Sequence, residues 1–212
     1  MKSYTQLIDG YKAFREDYHS ASFTTYRKQA AVGQQPKTMV ISCSDSRINA
    51  AIMTQAELGD LFLVSNVANI VPSYEQSHIE YGTISAIEYA VKHLKVQDII
   101  IMGHSNCGGV RTLFKDISED QGGFDYIRPW VSPLVKVKDR IVQGMHNATD
   151  DEKIQACEQG CIVNSLNNLA AYPYVKEAVA DKRLNLHAWY FNLADSELYE
   201  YQTQTNQFVP IR

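Results

Sequence analysis

Among 212 residues there are only four cysteines, no run of basic side chains and no apolar stretch near the roughly 18 residues that a membrane span needs. Each scarcity excludes something. Four cysteines are too few for a disulfide scaffold in a chain of this length. The start lacks the apolar core of a secretion signal, so the chain is expected in the cytoplasm, where thiols stay reduced. Each cysteine is then a packed thiol, a nucleophile or a metal ligand. Twenty basic against twenty-four acidic side chains give a net charge of −4, with no Lys/Arg cluster, which argues against nucleic acid and membrane as partners. No internal repeat and no Pro/Ser/Gly-rich linker divides the chain, so residues 1–212 are read as a single domain. The polar stretches 116–123 and 144–151 are expected as surface loops within it. What is present is ordinary globular material, 45% hydrophobic and 21% charged.

Three short β-branched, apolar runs at 37–43, 61–66 and 98–103 predict parallel strands. Apolar residues at mixed three- and four-residue spacing over 76–95 predict a crossover helix, and further helices are expected over 133–144 and 151–170. A last strand is expected over 185–192 with a hairpin partner near 197–202, and one or two amphipathic helices fill the first thirty residues. Alternating strand and helix implies an α/β sheet with helices on both faces.

Ligands of open α/β sheets collect at the carboxyl ends of strands. The first predicted strand ends in Cys43-Ser44-Asp45-Ser46-Arg47 and the third in Gly103-His104-Ser105-Asn106-Cys107-Gly108-Gly109. Neighbouring strand ends would bring Cys43, His104 and Cys107 together. Two thiolates and an imidazole suit a borderline-soft ion such as zinc, and three ligands leave one tetrahedral position open. The glycines after Cys107 let the backbone approach without a Cβ in the way. Asp45 and Arg47 can point to one side and form a charge-assisted pair, with Asp45 as a hydrogen-bond acceptor beside the metal.

Other readings of these residues have specific weaknesses. A phosphate loop over 103–108 fails because Gly109 and Val110 stand where Lys and Ser/Thr belong. The nucleophile elbow of an α/β serine hydrolase around Ser105 has Cys107 in place of its second glycine. It stays open as a weaker alternative, beside a non-catalytic zinc or redox-sensing module in which Asp45 is the fourth ligand. Cys157 and Cys161, with no third ligand nearby, are expected as packed thiols. His19, His78, His93, His146 and His187 have no partner at metal spacing.

The chain resembles the β-class carbonic anhydrases. The resemblance is carried by CSDSR at 43–47, SNVANIVP at 65–72, EYAV at 88–91, GHSNCGGV at 103–110 and SLNNLAAYPYV at 165–175. It implies a mainly parallel β-sheet with one antiparallel strand, flanked by helices. An N-terminal helical arm, residues 1–35, would clasp a second subunit in a homodimer or tetramer. It further implies zinc-dependent hydration of CO2 to bicarbonate and a proton, in which zinc-bound hydroxide attacks CO2. One Zn²⁺ per chain would sit on Cys43, His104 and Cys107, with Asp45 and Arg47 as the catalytic pair. Gln34, Phe62 and Tyr89 match substrate-pocket positions of the plant-like branch, used across the subunit interface, and Val67 and Gly108 complete the pocket. One departure concerns regulation. Some family members bind inhibitory bicarbonate away from the metal through a Trp and an Arg, and Val40 and Ser65 occupy those positions here. The inhibitory site is therefore expected to be absent.

Overall fold

A computed structural model describes residues 1–20, 23–76, 81–115 and 126–212. Strands β1 Thr38–Cys43, β2 Leu61–Asn66, β3 Asp98–His104, β4 Asn185–Phe191, β5 Leu198–Gln202 and β6 Gln207–Pro210 form one six-stranded sheet in the order β2-β1-β3-β4-β5-β6. The first four are mutually parallel, and β5 runs antiparallel to both its neighbours. The expected class, a mainly parallel sheet with one antiparallel strand and flanking helices, is the one observed.

Parallel neighbours cannot be joined by tight turns, so helices fill the connections. Two helices, α1 Tyr4–Asp17 and α2 Thr24–Val32, precede β1, and those of the connections are α3 Ala50–Thr54, α4 Tyr81–Glu88, α5 Gly108–Arg111, α6 Ile127–Val131, α7 Val135–Gly144, α8 Asp150–Ala171 and α9 Pro173–Ala180. The helix expected over 76–95 is shorter in its regular part. From Tyr89 to Leu94 it widens into π-helical turns and ends at Lys95, which has φ 56°. Residues 77–80 lie outside the described residues, as do 116–125, where one surface loop was expected.

The longest helix shows how local chemistry sets an element. Thr149 accepts from the Glu152 amide while the Glu152 side chain accepts from the Thr149 amide. Asp150, Asp151 and Glu152 place negative charge at the positive end of α8. Ile154, Cys157, Cys161, Ile162, Leu166 and Leu169 recur at three- and four-residue spacing and form its buried face. The helix lies so close to β3 that a Cβ on Gly103 would stand 2.6 Å from the Ile162 side chain. The main core, on this side of the sheet, includes Met39, Ile41, Ile87, Ile99, Ile101, Ile162, Leu169 and Val175. Val40, Ile100 and Met102 face the other way into a smaller cluster with Ala50.

The N-terminal helix is different. Ser3 and Gln6 cap its start reciprocally, yet none of its residues is buried, and Tyr4, Leu7, Ile8, Tyr11 and Phe14 are exposed. Among the described residues no helix is long and apolar enough to cross a membrane.

Candidate metal centre

β1 and β3 are adjacent and in register, so their carboxyl ends lie side by side. Cys43 closes β1, His104 closes β3, and Cys107 precedes the first turn of α5. All three are buried, and one ligand atom from each lies within 4.8 Å of the others. The two Sγ atoms are 3.9 Å apart. His104 Nδ1 is 2.8 Å from the Ser105 carbonyl, which can only accept, so Nδ1 carries the proton and Nε2 presents its lone pair. That Nε2 is buried with no hydrogen-bond partner, a costly state for a polar atom unless something coordinates it.

The thiols are electrostatically linked. A hydrogen bond from Cys107 pulls the Cys43 thiol down to about 4, and the same contact with Cys43 pushes Cys107 up. The Ala68 amide also donates to Cys43 Sγ at 3.4 Å, further favouring a thiolate. Ala68 and the next residue, Asn69, have left-handed backbone, φ 65° and 46°. Such conformations are costly for residues other than glycine and cluster at functional sites.

Asp45 and Arg47 stand beside the three ligands. Arg47 Nε donates to Asp45 Oδ1 at 2.9 Å and Nη2 to Oδ2 at 2.7 Å, and the Arg47 amide adds a third bond at 3.0 Å. This guanidinium contact holds the Asp45 carboxyl well below the usual carboxylate range. Arg47 Nη2 also donates to the Asn106 carbonyl at 3.0 Å, tying the pair to the His104–Cys107 turn. Asp45 Oδ2 lies 3.8 Å from His104 Nε2, so the carboxylate borders the space where all three ligand atoms converge.

The remaining expected residues fall into two groups. Val67 follows β2 directly, and its side chain would meet a Cβ added to Gly109 at 2.6 Å, whereas Gly108 has open space where a Cβ would stand. Phe62 and Tyr89 are ring neighbours, with centroids 6.0 Å apart, but Phe62 sits on the edge strand four positions before Asn66, the register partner of Cys43. At about 3.3 Å per strand residue, roughly 13 Å of β2 separates them. Along β2, Phe62 therefore lies well short of the strand end where Cys43 stands. Gln34 is exposed ahead of β1.

Cys157 and Cys161 are packed thiols, 0% and 1% exposed, in the same apolar cluster as Cys43 and Cys107. Ser105 donates its hydroxyl to Asn192 and accepts from the Leu193 amide, so it is engaged in holding the end of β4. Sequence patterns did not single out Asn106, whose φ of 57° turns its carbonyl toward Arg47, although asparagine is among the residues that tolerate this conformation. They also missed Glu158, a buried carboxyl of α8 that accepts from the Cys107 amide at 2.9 Å across 51 positions of sequence.

The comparisons with known proteins agree with this geometry. The carbonic anhydrase family model matches residues 38–198. Beta carbonic anhydrase 5, chloroplastic, of Arabidopsis thaliana is 37% identical over 196 residues, which cover 90% of this chain and 64% of that protein. This chain thus spans a little less than two thirds of that relative's length. A carbonic anhydrase of Synechocystis is 30% identical over 96% of this chain and 73% of its own. Among solved structures, the β-carbonic anhydrase CcaA superposes with a TM-score of 0.88 at 31% identity, over 98% of each chain. The tetrameric β-carbonic anhydrases of Sordaria macrospora give 0.75 at 30% identity over 92% of each chain. With a family match over most of its length and Cys43, His104 and Cys107 grouped where they could hold a metal ion, the chain belongs to the β class of the carbonic anhydrase family.

Proposed function

We propose that the protein is a zinc enzyme that interconverts CO2 and water with bicarbonate and a proton. The observation that carries this reading is the buried, unpartnered His104 Nε2 facing two thiol sulfurs 3.9 Å apart. Zinc–sulfur bonds of about 2.3 Å at tetrahedral angles set two sulfurs about 3.8 Å apart, so the pair fits the ion. Zinc held by Cys43, His104 and Cys107 would supply the Lewis acidity that makes water a nucleophile near neutral pH.

The chain's own residues do the rest. Asp45, kept ionised and aimed by Arg47, accepts a hydrogen bond from the attacking oxygen and so orients its lone pair toward CO2. Arg47, fixed to the Asn106 carbonyl, keeps that carboxylate from swinging onto the metal position, which disfavours a closed, non-catalytic site. Val67 offers an apolar wall and Gly108 leaves room for the small substrate. The proton released passes to solvent.

Gln34, Phe62 and Tyr89 would line the substrate pocket of a second copy, which makes the working unit a homodimer or a multiple of it. The exposed apolar stripe of α1 supports use of residues 1–35 as a dimerisation arm, since a 14-residue helix with nothing buried gains little from its own propensity. Metal analysis with a CO2 hydration assay tests the proposal. One zinc per chain and CO2-dependent acidification are expected. Zinc without acidification would overturn it in favour of a non-catalytic module.

A further inference from the structure

Behind the metal ligands, on the side away from Asp45 and Arg47, lies a carboxyl group that the proposed chemistry does not use. Glu158 is 4% exposed, in the middle of the buried face of α8. Its Oε1 accepts from the amide of Cys107 at 2.9 Å, and its Oε2 accepts from the hydroxyl of Tyr190, itself 1% exposed, at 3.1 Å. A buried carboxyl is costly unless its oxygens are paired, so a purely structural account would more economically place an apolar residue there, as at Ile154, Cys161 and Ile162 of the same face. The amide it binds belongs to a ligand residue. Cys107 has extended backbone, φ −68° and ψ 117°, just before α5, and no side chain caps that helix start. Only four residues long, α5 cannot hold the turn rigidly by itself. Glu158, rooted in a 22-residue helix packed tightly on β3, is the fixed point against which the turn rests.

We infer that Glu158 is a positioning residue for the metal centre. By accepting from the Cys107 amide it fixes the orientation of that residue, so that Sγ faces Cys43 and His104 before any ion arrives. Tyr190 in turn holds the second oxygen and sets the rotamer of the carboxyl. The inference rests on reading Cys43, His104 and Cys107 as a metal site. It requires an acceptor at this exact reach and does not require negative charge. Glutamine keeps the acceptor at the same distance, aspartate keeps the charge but falls short by one methylene, about 1.5 Å, and leucine keeps bulk alone.

The test is the rate at which zinc-loaded protein gives up its metal to an excess of chelator, read beside the far-UV spectrum. Residues that orient ligands typically change metal affinity by about 10- to 100-fold when lost, so E158L is expected to release metal faster by about that factor. E158D is expected to lie between E158L and the wild type, while E158Q stays within about threefold of the wild type because the amide acceptor is preserved. If E158L fails to fold, the ranking of E158D against E158Q decides. Wild-type release rates in E158D and E158L, or retention in E158D with rapid loss in E158Q, would overturn the inference. A wild type that binds no zinc would instead remove the metal reading beneath it.

Discussion

The carboxyl ends of β1 and β3 and the N-terminal arm are built on opposite plans. At the strand ends Cys43, His104 and Cys107 are all buried and set by backbone in register, and Glu158 of α8 accepts from the Cys107 amide. The arm carries as regular an apolar pattern, yet α1 buries none of it. Chemistry that must be held within fractions of an ångström sits on elements fixed by their own core. The arm's apolar side chains Tyr4, Leu7, Ile8, Tyr11 and Phe14 are exposed, which is the basis for the dimerisation arm proposed above. Cys43, His104 and Cys107 form a group that could hold a metal ion, while Phe62 and Tyr89 pack against each other on the edge-strand side of the sheet.

Mutations can break this comparison at either end. The largest effect is expected from His104→Ala, which removes the unpartnered Nε2 and should take bound zinc and hydration activity to background together. Retained zinc with full activity would refute the ligand assignment. Asp45→Asn should keep zinc but lower kcat by about 10²- to 10⁴-fold, the usual worth of a positioned acid–base group. The amide can no longer pair ionically with Arg47, and zinc analysis of the same sample separates this loss from loss of metal. At the other end, charges in the stripe, as in a Leu7→Asp, Phe14→Asp double variant, should leave secondary structure intact and shift the protein to monomer mass in sedimentation. Activity should fall by about 10²-fold if pocket residues are displaced by an ångström or more. Unchanged assembly and activity would show that the arm is not an interface.

Core and arm should also differ in stability. Ile162→Ala, in the packed layer against Gly103, is expected to cost about 2–5 kcal/mol in denaturant unfolding at any protein concentration. Leu7→Ala should lower stability only in a concentration-dependent way. The smallest effect concerns regulation. Val40 is buried, and the Ser65 hydroxyl lies 3.1 Å from that of Ser42, so neither offers a charge to an anion. Dehydration rates should saturate simply with bicarbonate at constant ionic strength. Sigmoidal rates or decline at high bicarbonate would contradict this.

Much of the sheet could be read from the chain before folding. The segments at 37–43, 61–66, 98–103 and 185–192 differ by no more than a residue at either end from the observed strands, because β-branched apolar runs bounded by turns leave few alternatives. β6 escaped notice because Gln207–Pro210 is a short, mostly exposed edge with no alternation strong enough to register. The widened turns at Tyr89–Leu94 escaped as well, since their mixed spacing is also what an ordinary amphipathic helix shows. The convergence of Cys43, His104 and Cys107 and the Asp45–Arg47 contact were legible because these residues lie within two short segments at strand ends. Glu158 was not. In sequence it is one polar residue in a polar helix, and only the packing of α8 on β3 brings it to Cys107.

The most direct test of the central claim is a titration of metal-stripped protein with zinc while CO2 hydration is followed. Activity is predicted to rise in proportion to added zinc and to stop at one equivalent per chain, with no rise in His104→Ala. Full activity in the stripped protein, or zinc uptake to one equivalent with no CO2 hydration, would contradict the account.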